Sequence, residues 1–181
     1  RKYSLYVFYI MPNTLTKEIK YTAVWGGGLA RMTGQDGIWL AIPTGHMTAN
    51  LQAGTGSSPA SIILCATNAD DIGGAIWQPL SQIIVRKCRI YYGEGGGTNT
   101  THKIALMRYN IDADGDLTNG LATGTVATDS NSDDYTQLRS TDLAITTNNA
   151  VTTSQVLVAF VMCVDAVNLS VTAKCIIEYT N

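Results

Sequence analysis

The sequence predicts an all-β protein, an antiparallel jelly-roll-like sandwich of about eight to ten strands. Three observations predict it. Apolar residues alternate with period two along much of the chain, and helical periodicity is scarce. The apolar runs are short and rich in β-branched and aromatic residues. Clusters of Gly, Asn, Asp and Ser separate them at the spacing of turns. At 181 residues the chain fits one domain, and it can bury a core without a metal or disulfide. An immunoglobulin-like sandwich fits less well, because such domains run to about 100 residues.

Residues 1–18 read as an N-terminal arm and 19–181 as a single sandwich domain. The opening "RKYSLYVFYI" sets Tyr3, Leu5, Val7 and Tyr9 against Ser4, Tyr6, Phe8 and Ile10. Both faces are apolar or aromatic, so this segment is expected to be covered on both sides by a neighbouring subunit, with Tyr3, Tyr6 and Phe8 as contacts. The run is too short for a signal peptide with its cleavage site, and too short to cross a membrane. The following "MPNTLTKEIKY" reads as a natural initiation point, so the first ten residues read as a strand, a remnant of a longer chain or upstream coding sequence.

Weaker strand signals lie at 19–25, 125–128 and 142–146. "GIWLAIP" (37–43) and "ASIILCAT" (60–67) add two strands. "SQIIVRKCRIYYG" (81–93) and "THKIALMRYNI" (101–111) flank "GEGGGTNT" and form a long hairpin. "SQVLVAFVMCVD" (154–165) is apolar on both faces, the signature of a central strand covered on both sides. "LSVTAKCIIEYT" (169–180) alternates with one exception, Ile176, and reads as a strand with one buried face. "ADDIGGAIWQPLSQ" (69–82) is loop-like, and "DDYTQLRSTDLA" (133–144) has room for one helical turn.

Composition excludes several function classes. Charged residues make up 14% of the chain and the net charge is −2, against roughly 25% charged in an average domain. The densest basic stretch is Arg86, Lys87 and Arg89, and alternation turns Lys87 and Arg89 away from an inward Cys88. Direct nucleic-acid binding, which rests on phosphate neutralisation, is not expected. Cys65, Cys88, Cys163 and Cys175 each sit in an apolar run without C-x-x-C spacing, and read as buried reduced thiols. His46 and His102 lack any metal or triad pattern and read as surface or turn residues.

The acid-rich "YNIDADGDLTNG" (109–120) is the most chemically suggestive stretch. Counted from Asp112 as an EF-hand loop, Leu117 stands where Gly is required and Thr123 where the bidentate acid is required. Asp-Gly and Asn-Gly are turn formers, so the segment is expected to cap 101–111 and return the chain toward 121–128. A non-EF calcium site at Asp112, Asp114 and Asp116 is the second reading. Asp70, Asp71, Asp133 and Asp134 also lie in turn-like contexts and define no catalytic pair, so no enzyme and no cofactor are expected. Trp25, Trp39, Trp77, Tyr91 and Tyr92 are candidates for a sugar-binding platform. Trp25 and Trp77 adjoin Gly-rich loops and suit a glycan or inter-subunit contact.

"SQIIVRKCRIYYGEGGGTNTTHKIALMRYNIDADGDLTNG", followed by "SQVLVAFVMCVDAVNLSVTAKCIIEYT", resembles the jelly-roll structural proteins of tailed-bacteriophage virions: capsid decoration (cement) proteins, head fibres and tail-fibre tips. The likeness covers roughly 80–180 and is one of composition and strand order. It implies a homotrimer on the virion, at the outer capsid surface or in a fibre. Such a protein would reinforce junctions between subunits of the major capsid protein. A receptor- or carbohydrate-binding fibre tip is one alternative. A single-jelly-roll capsid subunit is another, but it would want a basic inward arm, and only Arg1 and Lys2 offer one.

Overall fold

The chain crosses repeatedly between two antiparallel sheets. The computed structural model describes residues 18–26, 32–33, 37–45, 51–65, 72–95, 101–129, 138–164 and 170–181. Its strands are β1 (Lys20–Trp25), β2 (Met32–Thr33), β3 (Trp39–Ala41), β4 (Ile83–Gly95), β5 (Thr101–Ile111), β6 (Leu117–Ala122), β7 (Ala127–Asp129), β8 (Arg139–Leu143), β9 (Ala150–Val151), β10 (Gln155–Val164) and β11 (Ser170–Thr180). Sheet A runs β1-β11-β4-β8, with β2 on β11 and β9 on β4. Sheet B runs β3-β10-β5-β6, with β7 on β5. The pairings are nested: β1 with β11, β3 with β10, β4 with β8, β5 with β6. A long hairpin rolled once on itself gives this order, so the sandwich is a jelly roll, as the alternation predicted.

The two faces of sheet B explain the doubly apolar 154–165 run. Leu157, Ala159, Val161 and Cys163 of β10 point into the core between the sheets, with Leu40, Ile104 and Leu106 beside them and Val85, Cys88, Ile90, Cys175 and Ile177 of sheet A opposite. Val156, Val158, Phe160 and Met162 point the other way, into a second core. That core is roofed by Leu51, Ala53, Ile63, Ile72 and Ala75 from the long β3–β4 connection. Each large side chain sealed there contributes about 1.5–3 kcal/mol. Sheet A has no such roof among the described residues, and its outward positions, such as Lys87, Arg89 and Lys174, are exposed.

A β-bulge settles the inward set of β4. Lys87 opposes Glu178 and Val85 opposes Tyr179, so Arg86 has no partner in the ladder. The extra residue lets both Val85 and Cys88 face the core across an interval of three.

Several sequence expectations are corrected. Of the strand expected at 60–67, the described part, 60–65, makes one bridge, Ile63 to Leu117, because this segment roofs sheet B and does not extend it. The helical turn allowed in 133–144 is strand β8 from Arg139 on, and no strand continues over 144–146. Leu143 there joins the inter-sheet core, which an isolated turn would not place. The loop read over 69–82 contains a helical turn at 72–75 that buries Ile72 and Ala75. The arm, with Tyr3, Tyr6 and Phe8, lies outside the described residues, as do His46, Asp70, Asp71, Asp133 and Asp134.

Candidate interaction groove

Four aromatic rings line one end of the sandwich, where β1 forms the edge of sheet A. Tyr21 and Tyr179 are register partners on β1 and β11, and their rings stack at 5.6 Å. Tyr179 meets Trp77 at 5.6 Å, tilted by 55°. Trp77 lies nearly parallel to Trp25 at 5.9 Å. Trp77 is fixed from the opposite sheet by a reciprocal pair of backbone bonds with Leu157, 2.9 and 2.8 Å long. The ladder thus ties sheet A to sheet B, and ring contacts of this kind add about 0.5–1.5 kcal/mol each beyond burial.

Above this floor opens a groove of about 430 Å³, lined by Tyr21, Trp77, Gln78, Pro79, Leu80, Ser81, Ile83, Tyr179 and Asn181. Its walls are fixed by polar bonds: the Gln78 amide donates to Thr153 O at 2.6 Å, and the Ser81 hydroxyl to Asn181 Oδ1 at 3.4 Å. Leu80, 101% exposed, and Tyr21, 40% exposed, stand at its mouth; Ile19 and Val24, outside the lining, are exposed at 66% and 50%. With Tyr21 and the groove floor beside it, Leu80 extends an apolar surface that protein contact would cover.

The other sequence candidates fall elsewhere. Trp25, a proposed glycan or partner contact, is 4% exposed and supports the groove from beneath through Trp77. Trp39 and Tyr92 are wholly buried; the Trp39 indole donates to Gly56 O at 3.0 Å. A sugar needs a free aromatic face, and these rings give theirs to one another or to the core. His102, expected at the surface, is 4% exposed and packs on Tyr92 at 4.8 Å. It is an inward position of β5, since 101–111 pairs along its length with β10. Tyr21, Leu80 and Tyr179 were not singled out. Alternation already placed Tyr179 inward, and Leu80 beside Pro79 in a turn was the available sign of an apolar residue outside a strand.

The acid-rich loop builds a turn. Asp112 Oδ1 accepts the amides of Asp114 and Asp116 at 3.1 and 2.9 Å. Asp116 Oδ1 accepts the amide of Cys65 at 2.7 Å, pinning the roof segment to the hairpin. Gly115 supplies the left-handed residue, φ 84°. Among the described residues no group of three or more His, Cys, Asp or Glu side chains is placed to hold a metal ion.

Cys88, Cys163 and Cys175 are buried, and Cys65 is half-buried. Cys88 and Cys175 approach to 3.7 Å between sulfurs. Burial, reinforced by Cys88, pushes the Cys175 thiol well up, so it stays protonated and unreactive.

The outer face of sheet A carries paired charges. Arg89 holds Asp142 with two bonds, 2.5 and 2.7 Å; the guanidinium bond draws the Asp142 carboxyl below its ordinary value and raises Arg89 in turn. Lys20 pairs with Glu178 at 3.1 Å, and Arg86 with Glu18. These three cations answer carboxylates of the same chain, while Lys87 and Lys174 stand exposed beside them.

No family model matches the sequence, and no curated protein does. Among solved structures the chain is similar to one titled "Structure of infectious bursal disease virus Gx strain", at 7% identity and a TM-score of 0.32. The alignment covers 89% of this chain and 29% of that one, so this chain spans less than a third of the matched chain's length. The class that the fold itself defines is an all-β jelly roll in which, among the described residues, one sheet is roofed and the other open.

Proposed function

We propose that this chain is a non-enzymatic structural subunit of a virion. Its work is to bind copies of itself and neighbouring subunits at the outer capsid surface, as a decoration or cement protein. The observation that carries this reading is the apolar groove mouth at Leu80 and Tyr21 beside β1, which ends sheet A among the described residues. An unroofed edge with a preformed aromatic floor is a surface made for protein contact. The resemblance to tailed-bacteriophage virion proteins supports the location and a homotrimeric assembly bridging subunits of the major capsid protein. Each copy would add interface free energy that opposes the outward pressure of packaged DNA.

Two observations weigh between the alternatives. The ion pairs on sheet A favour a decorating subunit over a shell subunit facing the genome. The burial of Trp25 and Trp39 disfavours a carbohydrate-binding tip. The test is cryo-electron microscopy of the particle whose genome encodes the chain, with sedimentation of the purified protein. Jelly-roll density outside the shell at subunit junctions, from an oligomeric protein, is the expected result. Absence of the protein from particles would overturn it.

A further inference from the structure

We propose that the free edge of β1 and the adjoining groove receive the N-terminal segment Tyr3–Ile10 of a second copy of this chain, added to sheet A as a further strand. This rests on the assembly reading above and names its joint.

Three observations converge on that occupant. First, β1 ends the order of sheet A, with β11 on one side and no strand on the other among the described residues. Its backbone edge is open to strand addition. Second, the inward side of that edge is apolar: Tyr21 borders the groove, while the outward side carries Lys20 and Thr22 beside Val24, which is 50% exposed. An added strand should therefore be apolar on the face toward the groove and rich in β-forming residues. Third, seventeen residues precede the first described one, and they contain such a stretch, "YSLYVFYI". Extended, that length reaches at most about 60 Å, enough to meet a neighbour.

A second copy fits better than the chain's own arm. Against its own edge the segment would cover one apolar face and leave the other in water, whereas exchange between copies places each arm between two bodies. The Glu18 carboxylate is also turned inward to Arg86 of β4, two strands in from the open edge.

Two full-length variants test this. Leu80→Glu charges the groove lip at a position that is 101% exposed and so leaves the fold intact. Phe8→Asp charges the arm. Light scattering coupled to gel filtration should show that each variant self-associates at least about tenfold more weakly than the parent, with circular dichroism unchanged. Mixing the two should restore a mixed species, because arms of Leu80→Glu chains can enter the intact grooves of Phe8→Asp chains. Failure to complement overturns exchange and places the arm on its own groove. An oligomer indifferent to both substitutions moves the interface elsewhere, and overturns this joint while leaving assembly on the virion standing. A monomeric parent chain overturns the joint too, and particle binding then judges the broader reading separately.

Discussion

The hydroxyl of Tyr109 donates to Ala60 O at 2.7 Å, anchoring the roof segment to sheet B. Burial holds its phenol well above the ordinary value. A phenol or thiol whose folded pKa is raised gives stability that is complete below the unfolded pKa and lost as pH rises through the folded one. The unfolded values are about 8.5 for cysteine and 10 for tyrosine. With Cys175 raised as well, the melting temperature should hold to about pH 8.5 and fall beyond it. Tyr109→Phe should cost about 1 kcal/mol at neutral pH and flatten the part of the decline above about pH 10. Calorimetry from neutral to strongly alkaline pH checks both; a variant with the parent's full alkaline slope would assign the loss to other groups. The same ring explains a glycine. A Cβ on Gly120 would come within 2.3 Å of Tyr109 Cε1, so the aromatic lies flat on a bare backbone.

At the scale of elements, that contact also shows where the sequence was legible. Asn119-Gly120 read as a turn, and Asn119 does take φ 50°. Yet the pair sits inside β6, where two residues oppose the single Tyr109 between Arg108 and Asn110. It is a bulge in a ladder, and a bulge carries the same residue signal as a turn. The central strands β4, β5, β10 and β11 could be read almost to their ends, because burial of one or two whole faces forces the alternation. The short edge strands β2, β8 and β9 could not, since each is fixed by a neighbour and not by its own pattern. The groove was illegible for a similar reason: Trp77, Leu80 and Tyr179 meet only through the fold. The turn at 112–116 was read correctly, and its chemistry is testable. Asp112 accepts two amides and Asp116 a third, so Asp112→Ala should destabilise by about 1–2 kcal/mol. Millimolar calcium should leave the melting temperature of the parent unchanged, and a calcium-dependent rise abolished by Asp114→Asn would restore the metal reading.

For the whole molecule, the two sheets have different fates. Sheet B is covered on both faces, while the outer face of sheet A, among the described residues, carries charged side chains, some of them in ion pairs, and has an apolar corner beside β1. Association through that corner should depend on apolar burial and not on charge. Its dissociation constant should change less than about threefold between low and high sodium chloride, since screening acts on exposed charge pairs. Sulfate, excluded from protein surface, should tighten it. Sedimentation equilibrium in the two salts distinguishes this from an electrostatic interface, which sodium chloride would loosen tenfold or more.

The nested pairing has a consequence for synthesis. Lys20 meets Thr180 across the ladder, so β1 emerges from the ribosome long before its partner exists. At about 5–20 residues per second that wait lasts roughly ten to thirty seconds. For all of it this aromatic strand stands unpaired. Nascent chains on one message would therefore be expected to need a chaperone's cover, and crowded polysomes are where this polypeptide would most readily clump.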